Sequence, residues 1–179
     1  MNYITTCPSP VGMLTLASDG EALTGLWIEG QKYFLSTLRD AAEENGDLAV
    51  FQSARGWLKR YFSGKKPDIG ELPLRPSGSP FRQEIWKLLC RIPYGEMTTY
   101  GTLAREAAKQ LNRSTMSAQA VGGAVAHNPI SIIIPCHRVI GSDGSLTGYA
   151  GGIDLKIHLL KLEGADLSGL YVPKSSSAP

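Results

Sequence analysis

The chain has few of the residues that bind metals or form disulfides. It contains three cysteines and three histidines among 179 residues, and no two cysteines have the short spacing of a zinc site or a redox motif. The histidines all lie late in the chain: His127, His137 and His158. Scattered cysteines in odd number do not make a disulfide framework. The sequence therefore predicts neither a disulfide-stabilised fold nor a zinc site in the first half of the chain.

Long apolar runs and strong net charge are also missing. No apolar stretch approaches the roughly 20 residues that cross a bilayer. The start, MNYITTCPSPVG, lacks the basic and apolar regions of a signal peptide. These absences predict a soluble, cytoplasmic protein without a membrane partner. Eighteen Lys and Arg against sixteen Asp and Glu leave a net charge of +2, so any DNA-binding surface would have to be local.

The first part of the chain carries signals for a hairpin and one helix. Residues 13–28 hold two apolar runs separated by Asp19 and Gly20, two residue types that tolerate the positive φ of tight turns. This pattern predicts a small antiparallel sheet. From Leu48 onward, apolar side chains recur at near-helical spacing until Gly64. We expect one amphipathic helix beside the sheet.

A segment rich in Pro, Gly and Ser, residues 72–80, separates this part from a second part that is almost wholly helical in pattern. We therefore predict an α+β protein: a small N-terminal α/β domain with an antiparallel sheet, then a mostly helical C-terminal domain. The expected bounds are residues 1–76 and 77–172, followed by a flexible tail over residues 173–179.

Helix-capping residues set the predicted helices of the second domain. Ser79 is a suitable N-cap, and proline at the next position loses no helical hydrogen bond. A further helix is expected to begin near Thr98 or Thr99, and Ser117 is the expected cap of the segment AQAVGGAVA. The helix that begins near Thr98 or Thr99 and the helix AQAVGGAVA, joined by a turn, indicate a helix-turn-helix.

The second helix of this pair, residues 118–126, is unusual for a DNA-reading helix. It has no Arg, Lys or Asn to reach base edges in the major groove. Gly122 and Gly123 each cost a helix up to about 1 kcal/mol relative to alanine, so close packing or docking is expected there. Tight packing against another helix and a backbone lying close to DNA both explain the composition.

Residues 132–141, IIIPCHRVIG, place Cys136 after an apolar run. A lone cysteine is most often a small buried apolar group, but one at the end of a strand is also well placed to react. We predict that SIIIP is such a strand. A reactive thiolate needs a neighbouring base or cation, and His137 and Arg138 are the candidates. Adjacent residues of an extended chain point to opposite faces, so Cys136 and His137 can interact only if the chain turns or a water molecule bridges them, and we expect the water.

Glu163 ends the last predicted helix, which begins near Ile153 and is closed by Gly164. A helix macrodipole disfavours negative charge at its C-terminus, so a cation or a hydrogen-bonded His137 is expected nearby. That contact would complete a series of nucleophile, base and orienting acid. An exposed, solvated Glu163 fits the sequence equally well.

The signature of the O6-alkylguanine-DNA alkyltransferases is similar to residues 128–152, NPISIIIPCHRVIGSDGSLTGYAGG. The resemblance starts at residue 79 with SPFRQEIWKLLCRIPYGEMTTYGTLA, continues through AVGGAVAHNP and ends with KLEG. It covers most of the second domain, whereas the first domain resembles the family only through SPVGMLTLASDG. The family resemblance implies an N-terminal α/β domain and a helical domain with a helix-turn-helix.

The resemblance also implies roles for individual residues. Cys136 would accept the alkyl group from guanine O6, His137 would act as a water-mediated base, and Glu163 would hold His137. Tyr100 would give a proton to the departing base. Asn128 would tie the turn before the reactive loop through side-chain hydrogen bonds. The thioether product has no route to hydrolysis, so transfer would be irreversible and limited to one turnover.

The expected partner is double-stranded DNA carrying O6-alkylguanine, with O4-alkylthymine as a further candidate lesion. The family resemblance implies that the helix-turn-helix enters the minor groove and that the damaged base is flipped out, with no metal or cofactor and with the protein as a monomer. The expected DNA and base contacts are Ala118, Gln119, Gly122, Gly123, Arg138, Tyr149, Ala150 and Gly151. Gln119 stands where many relatives have arginine, and Ala150 where some have serine.

Two other functions use the same residues. A Cys-His acyl transferase or protease needs the same nucleophile and base, although the DNA-type helix pair argues against it. A lesion-binding protein that transfers nothing would resemble the helical domain, but such relatives lack the cysteine of PCHRV. Alkyl transfer is therefore the function that the sequence favours.

Overall fold

The computed structural model describes residues 1–174, which form two compact units. The first unit contains residues 1–77 together with residues 129–133, and the second contains residues 78–128 and the chain from residue 134 onward. A short stretch of the second half of the sequence thus belongs to the first unit. Most of the predicted tail, residues 175–179, lies outside the described residues.

The first unit is built on a mixed four-stranded sheet. Its strands are β1 (Asn2–Ser9), β2 (Gly12–Ser18), β3 (Leu23–Ile28) and β4 (Ala42–Glu44), in the spatial order β3-β2-β1-β4. The predicted β2–β3 hairpin is confirmed, with Gly20 at φ +103° and the Asp19 side chain accepting two backbone hydrogen bonds across a four-residue loop. The sheet is not purely antiparallel, because β4 pairs with β1 in parallel.

One helix, α1 (Ala49–Phe62), covers the sheet in the first unit. Its apolar face is buried, and Trp57 stacks on Tyr61 with ring centroids 5.5 Å apart. Gly64 follows the helix with a φ of +84°, which confirms the predicted end of the pattern. These aromatic side chains are part of the buried hydrophobic core of this unit.

The second unit is largely helical, as predicted. It contains α2 (Pro80–Leu89), α3 (Tyr100–Gln110), α4 (Ala118–Ala126) and α5 (Ile153–Leu162). Ser79, Thr99 and Ser117 each accept a hydrogen bond from the backbone N–H three residues later, which confirms the capping predictions. Two short strands, β5 (Thr98–Thr99) and β6 (Val139–Ile140), form a parallel pair that the sequence patterns did not predict.

The segment SIIIP is not the predicted strand. Residues 131–134 form a turn in which Ile132 has a φ of +71°, a conformation that costs a β-branched residue free energy. Just before the turn, Ile130 forms a β-bridge to Leu26, and the Ser131 amide donates to the Leu26 carbonyl at 3.0 Å. These pairings to the outer edge of β3 override the local strand preference of the isoleucines.

Within residues 1–174, no helix combines the length and hydropathy needed to cross a membrane. Over the same residues, no three His, Cys, Asp or Glu side chains converge so that they could hold a metal ion.

The buried Trp86 gives a test of packing in the helical unit. Its indole N–H donates to the Ala124 carbonyl at 2.9 Å, and the side chain is almost fully buried. Trp86→Phe should lower the free energy of unfolding by about 2 kcal/mol, because it leaves that carbonyl unpaired and part of the space unfilled. Urea unfolding followed by circular dichroism measures the loss. Phe34→Leu, at a 40% exposed aromatic, should change stability by less than about 0.5 kcal/mol.

Candidate active site

Cys136 begins a single 3-10 turn, Cys136–Arg138, rather than ending a strand. Its amide donates to the Ile134 carbonyl at 2.8 Å, and the Asn128 side chain donates to the same carbonyl at 2.8 Å. The predicted role of Asn128 in tying the turn to the reactive loop therefore has a direct geometric basis. The Cys136 side chain is 3% exposed.

Burial raises the pKa of the Cys136 thiol above its ordinary value. The Asn128 side chain, the Lys156 charge and nearby backbone N–H groups act in the opposite direction by favouring the thiolate. The resting group is therefore a thiol, and a base must remove its proton when it reacts.

His137 is held by Glu163. Its Nε2 lies 2.5 Å from Glu163 Oε2, and both side chains are fully buried. The contact is the predicted base and orienting acid, and it excludes the alternative of a solvated Glu163. Cys136 and His137 belong to one 3-10 turn, so the chain turns at this point instead of being extended.

Glu163 also has a permanent cation beside it. Arg138 Nε donates to Glu163 Oε1 at 2.7 Å, and the Gly95 amide donates to the same oxygen at 3.2 Å. Arg138 Nη1 donates to the Ile92 carbonyl at 2.6 Å. A cation was expected near Glu163 because negative charge is unfavourable at a helix C-terminus. That cation is Arg138.

These contacts decide the charges of the pair. Burial alone would raise the pKa of Glu163, but hydrogen bonds from His137 and Arg138 outweigh it and lower the pKa to about 2. Burial lowers the pKa of His137 despite the attraction of Glu163, and the Arg138 charge adds to that effect. Glu163 is therefore a carboxylate and His137 a neutral imidazole at neutral pH. Since the carboxylate only accepts, His137 carries its proton on Nε2, and Nδ1 is left as the acceptor.

Lys156 is a buried residue of the site that the sequence patterns did not indicate. Its ammonium donates to the carbonyls of Val139 and Thr147, the latter at 2.8 Å. Burial lowers its pKa to about 8, against the attraction of Cys136. A signal was available: Lys156 and Glu163 are seven residues apart, two helical turns, and Leu159 between them lies on the same buried face of α5.

Two tyrosines surround the reactive turn. The Tyr100 hydroxyl donates to the Gly148 carbonyl at 3.1 Å, and Gly148 has no room for a Cβ because that atom would collide with the hydroxyl. Tyr149 is buried, and its ring is nearly perpendicular to the His137 ring, at a centroid distance of 6.3 Å. Burial and the nearby Cys136 raise the pKa of both phenols, so both keep their protons at neutral pH.

The predicted DNA and base contacts lie on α4 and in the turn before α5, except for Arg138, which belongs to the reactive turn. Ala118 and Gln119 are exposed on the first turn of α4, and Gly123 has open space where a Cβ would stand. Gly122 lies on the buried side of the same helix. Ala150 and Gly151 are half-buried in the turn before α5, next to Tyr149. Arg138 is 6% exposed and bound to Glu163, so its position is that of a supporting residue.

The geometry supports one kind of chemistry. A protonated, buried thiol lies in the same turn as a neutral imidazole that an ionised carboxylate orients. Such a set activates a nucleophile at the moment of reaction instead of storing a reactive thiolate. Tyr100 adds a protonated phenol that could serve as an acid.

Two family models match the chain. The 6-O-methylguanine DNA methyltransferase ribonuclease-like domain covers residues 2–76, and the 6-O-methylguanine DNA methyltransferase DNA-binding domain covers residues 80–165. A methylated-DNA–protein-cysteine methyltransferase of Haemophilus influenzae is 45% identical over 161 residues, which is 90% of this chain and 86% of the relative. The chain belongs to the methylated-DNA–protein-cysteine methyltransferase family.

Other members of the methyltransferase family agree in sequence and fold. The methylated-DNA–protein-cysteine methyltransferase of Methanosarcina barkeri is 43% identical and spans 90% of this chain and 96% of its own length. The crystal structure of Mycobacterium tuberculosis OGT in complex with DNA superposes with a TM-score of 0.77 at 40% identity and covers 94% of both chains. The predicted family and α+β fold are thereby confirmed.

Glu163→Gln tests the buried ion pair. The variant should lower the free energy of unfolding by about 3 kcal/mol at neutral pH, because Arg138 would remain buried without a counter-charge. The folded-state pKa of about 2 lies below the ordinary 4.5, so the stabilisation is complete above pH 4.5 and is lost as the pH falls toward 2. The difference from the wild type should therefore shrink at about pH 4. Urea unfolding at both pH values checks this, with the exposed Glu106→Gln as control. A pH-independent difference would contradict the assignment.

Proposed function

We propose that the protein is a DNA repair methyltransferase that moves the alkyl group of O6-alkylguanine in DNA onto its own Cys136. The family membership supports this activity, and the relatives' name describes methylated DNA as the donor and a protein cysteine as the acceptor. The site contains a single buried cysteine in the same turn as a histidine base. Cys136 is therefore the acceptor.

One observation carries the mechanism. Nδ1 of His137 is buried and has no hydrogen-bond partner among residues 1–174, while Nε2 is bound to Glu163. An unpaired acceptor of this kind is costly unless a ligand or a water completes it. We assign that position to a water molecule between Nδ1 and the Cys136 thiol, through which the proton leaves the sulfur.

The transfer is a displacement at a saturated carbon. The Cys136 sulfur bonds to the alkyl carbon as the bond from that carbon to guanine O6 breaks, and the thiol proton passes to His137. The departing guanine takes a proton, for which the Tyr100 hydroxyl is the donor. Glu163 then stabilises the imidazolium. The product is a thioether that water does not cleave, so each molecule reacts once.

Supporting residues act on the thiolate and on the pocket. Lys156 places a positive charge that favours the Cys136 thiolate and holds the Thr147 carbonyl. Asn128 fixes the chain before the reactive turn through the Ile134 carbonyl. Arg138 keeps Glu163 ionised and contacts no DNA. Tyr149, Ala150 and Gly151 would close over the extruded base.

DNA would be bound by the exposed side of α4. Ala118, Gln119 and Gly123 present short or uncharged groups there, so this face is narrow enough to enter a minor groove. A guanine inside a duplex cannot reach a buried thiol, and it must be flipped out of the stack. We propose that Gln119 fills the space that the flipped base leaves, and that the protein acts as a monomer.

Cys136→Ser tests the acceptor. The variant should add no methyl group when incubated with a duplex containing O6-methylguanine, because a hydroxyl is a much poorer nucleophile, yet it should still bind that duplex. Intact-mass analysis measures the transfer. Cys90→Ser, at a half-buried cysteine, should still gain one methyl group. Methylation of the Cys136→Ser protein, or turnover of an ester by the wild type, would contradict alkyl transfer to Cys136.

Gln119→Ala tests the gap-filling role. Repair of methylated duplex should slow about tenfold. This corresponds to about 1.4 kcal/mol of stabilisation that the Gln119 side chain would contribute by filling the gap left by the flipped base. Reaction with free O6-benzylguanine should be unchanged, since no base is flipped. Gln119→Arg should tighten duplex binding and steepen its salt dependence if the new cation meets a phosphate. Gln52→Ala on α1 is the control; equal losses on both substrates for Gln119→Ala would mean that Gln119 supports the pocket or the fold.

A further inference from the structure

A basic groove lies at the turn between α3 and α4, apart from the reactive turn and from the exposed side of α4. It has a volume of about 500 Å³ and is lined by Arg105, Ala108, Lys109, Arg113, Ser114, Thr115 and Met116. Three of these side chains are cationic and none is acidic. Arg105 and Lys109 are one helical turn apart on α3, and Arg113 comes from the following turn, so the cations converge from two segments.

The three cationic side chains have no counter-charge among the described residues. No carboxylate of residues 1–174 forms an ion pair with Arg105, Lys109 or Arg113, and all three residues are exposed. Arg105 Nη2 donates a hydrogen bond to Thr102 Oγ1 at 3.1 Å, which leaves the guanidinium charge uncompensated.

Stabilisation of the end of α3 does not account for this cluster. Cations near a helix C-terminus gain from the macrodipole, which is equivalent to about half a negative charge. The last carbonyls of α3 are already bonded, since the Leu111 amide donates to Ala107 at 3.0 Å and the Arg113 amide donates to Ala108 at 2.8 Å. Three full positive charges exceed what the helix end can use, so the macrodipole alone does not explain the cluster.

We propose that this groove, around Arg105, Lys109 and Arg113, binds the phosphate backbone of the same duplex whose minor groove receives α4. The groove ends at Met116, directly before the α4 cap Ser117, so both surfaces belong to one helix-turn-helix. This inference rests on the proposed function, because it takes α4 as the DNA-contacting helix.

The composition of α4 explains why a separate phosphate site is needed. The exposed face of α4 has no cation, and the whole chain has a net charge of only +2, so neither supplies much attraction for DNA. Phosphate contacts provide most of the affinity for a duplex and do not depend on its sequence. Arginine is suited to this role because its planar group donates two parallel hydrogen bonds to a phosphate. The groove would thus supply affinity, and α4 would supply access to the base.

The test is a triple variant, Arg105→Gln, Lys109→Gln and Arg113→Gln, in the full chain. Binding to an unmethylated duplex is measured by fluorescence anisotropy over a range of KCl concentrations. With about 0.9 released counterions per phosphate contact, the slope of log K against log salt should become less steep by about 2.7. Between about 50 and 200 mM KCl, the wild type should therefore lose about 40-fold more affinity than the variant.

A matched control removes the same charge from exposed lysines of the first unit: Lys32→Gln, Lys59→Gln and Lys65→Gln. The slope of log K against log salt for this control should differ from that of the wild type by less than about 0.9, the value for one phosphate contact. An unchanged slope for the groove variant, or an equal change in the control, would overturn the proposal. The groove variant should react with free O6-benzylguanine at the wild-type rate; a loss of that reaction would place these residues in the fold or the pocket and would equally overturn it. A wild type that transfers no alkyl group would instead overturn the proposed function.

Discussion

The reactive turn depends on one buried carboxylate, Glu163. Removing an ionised carboxylate from water is costly, and three donors offset that cost: the imidazole of His137, the guanidinium of Arg138 and the amide of Gly95. They come from the reactive turn and from the loop before β5, and the carboxylate belongs to the C-cap residue of α5. Because these donors satisfy both buried carboxylate oxygens, the three segments hold one another in place. The orientation of His137 is a consequence of this arrangement.

The same contacts divide the protonation states among the residues. Hydrogen bonds from His137 and Arg138 lower the pKa of Glu163 to about 2, so Glu163 is anionic at neutral pH. His137 is neutral because it is buried, although Glu163 attracts its charged form. In the proposed reaction, His137 would therefore be a weak base at rest and would gain a stabilised charge only when the thiol reacts. Lys156, on α5, adds a positive charge that favours the Cys136 thiolate.

Local signals predicted most of the helices, whereas long-range contacts decided the rest. Ser79, Thr99 and Ser117 cap their helices as expected because a cap depends only on the next three residues. The SIIIP prediction was wrong because the pairing with Leu26 connects residues about a hundred positions apart. The roles proposed for Cys136, His137 and Glu163 came from residue types and the family resemblance, and the structure adds the contact between His137 and Glu163. Lys156 was missed although its spacing from Glu163 places it on the buried face of α5, because its partners are backbone carbonyls, which residue types do not reveal.

The buried, protonated state of Cys136 also bears on how long the protein stays usable. Oxidation by peroxide proceeds through the thiolate and requires access to solvent. A thiol with a raised pKa and 3% exposure offers neither. For a protein proposed to react once and not to be regenerated, each sulfur lost to a sulfenic acid would be a lost repair event. The burial that makes Cys136 a poor nucleophile at rest thus also protects the thiol from oxidation until an alkylated base arrives.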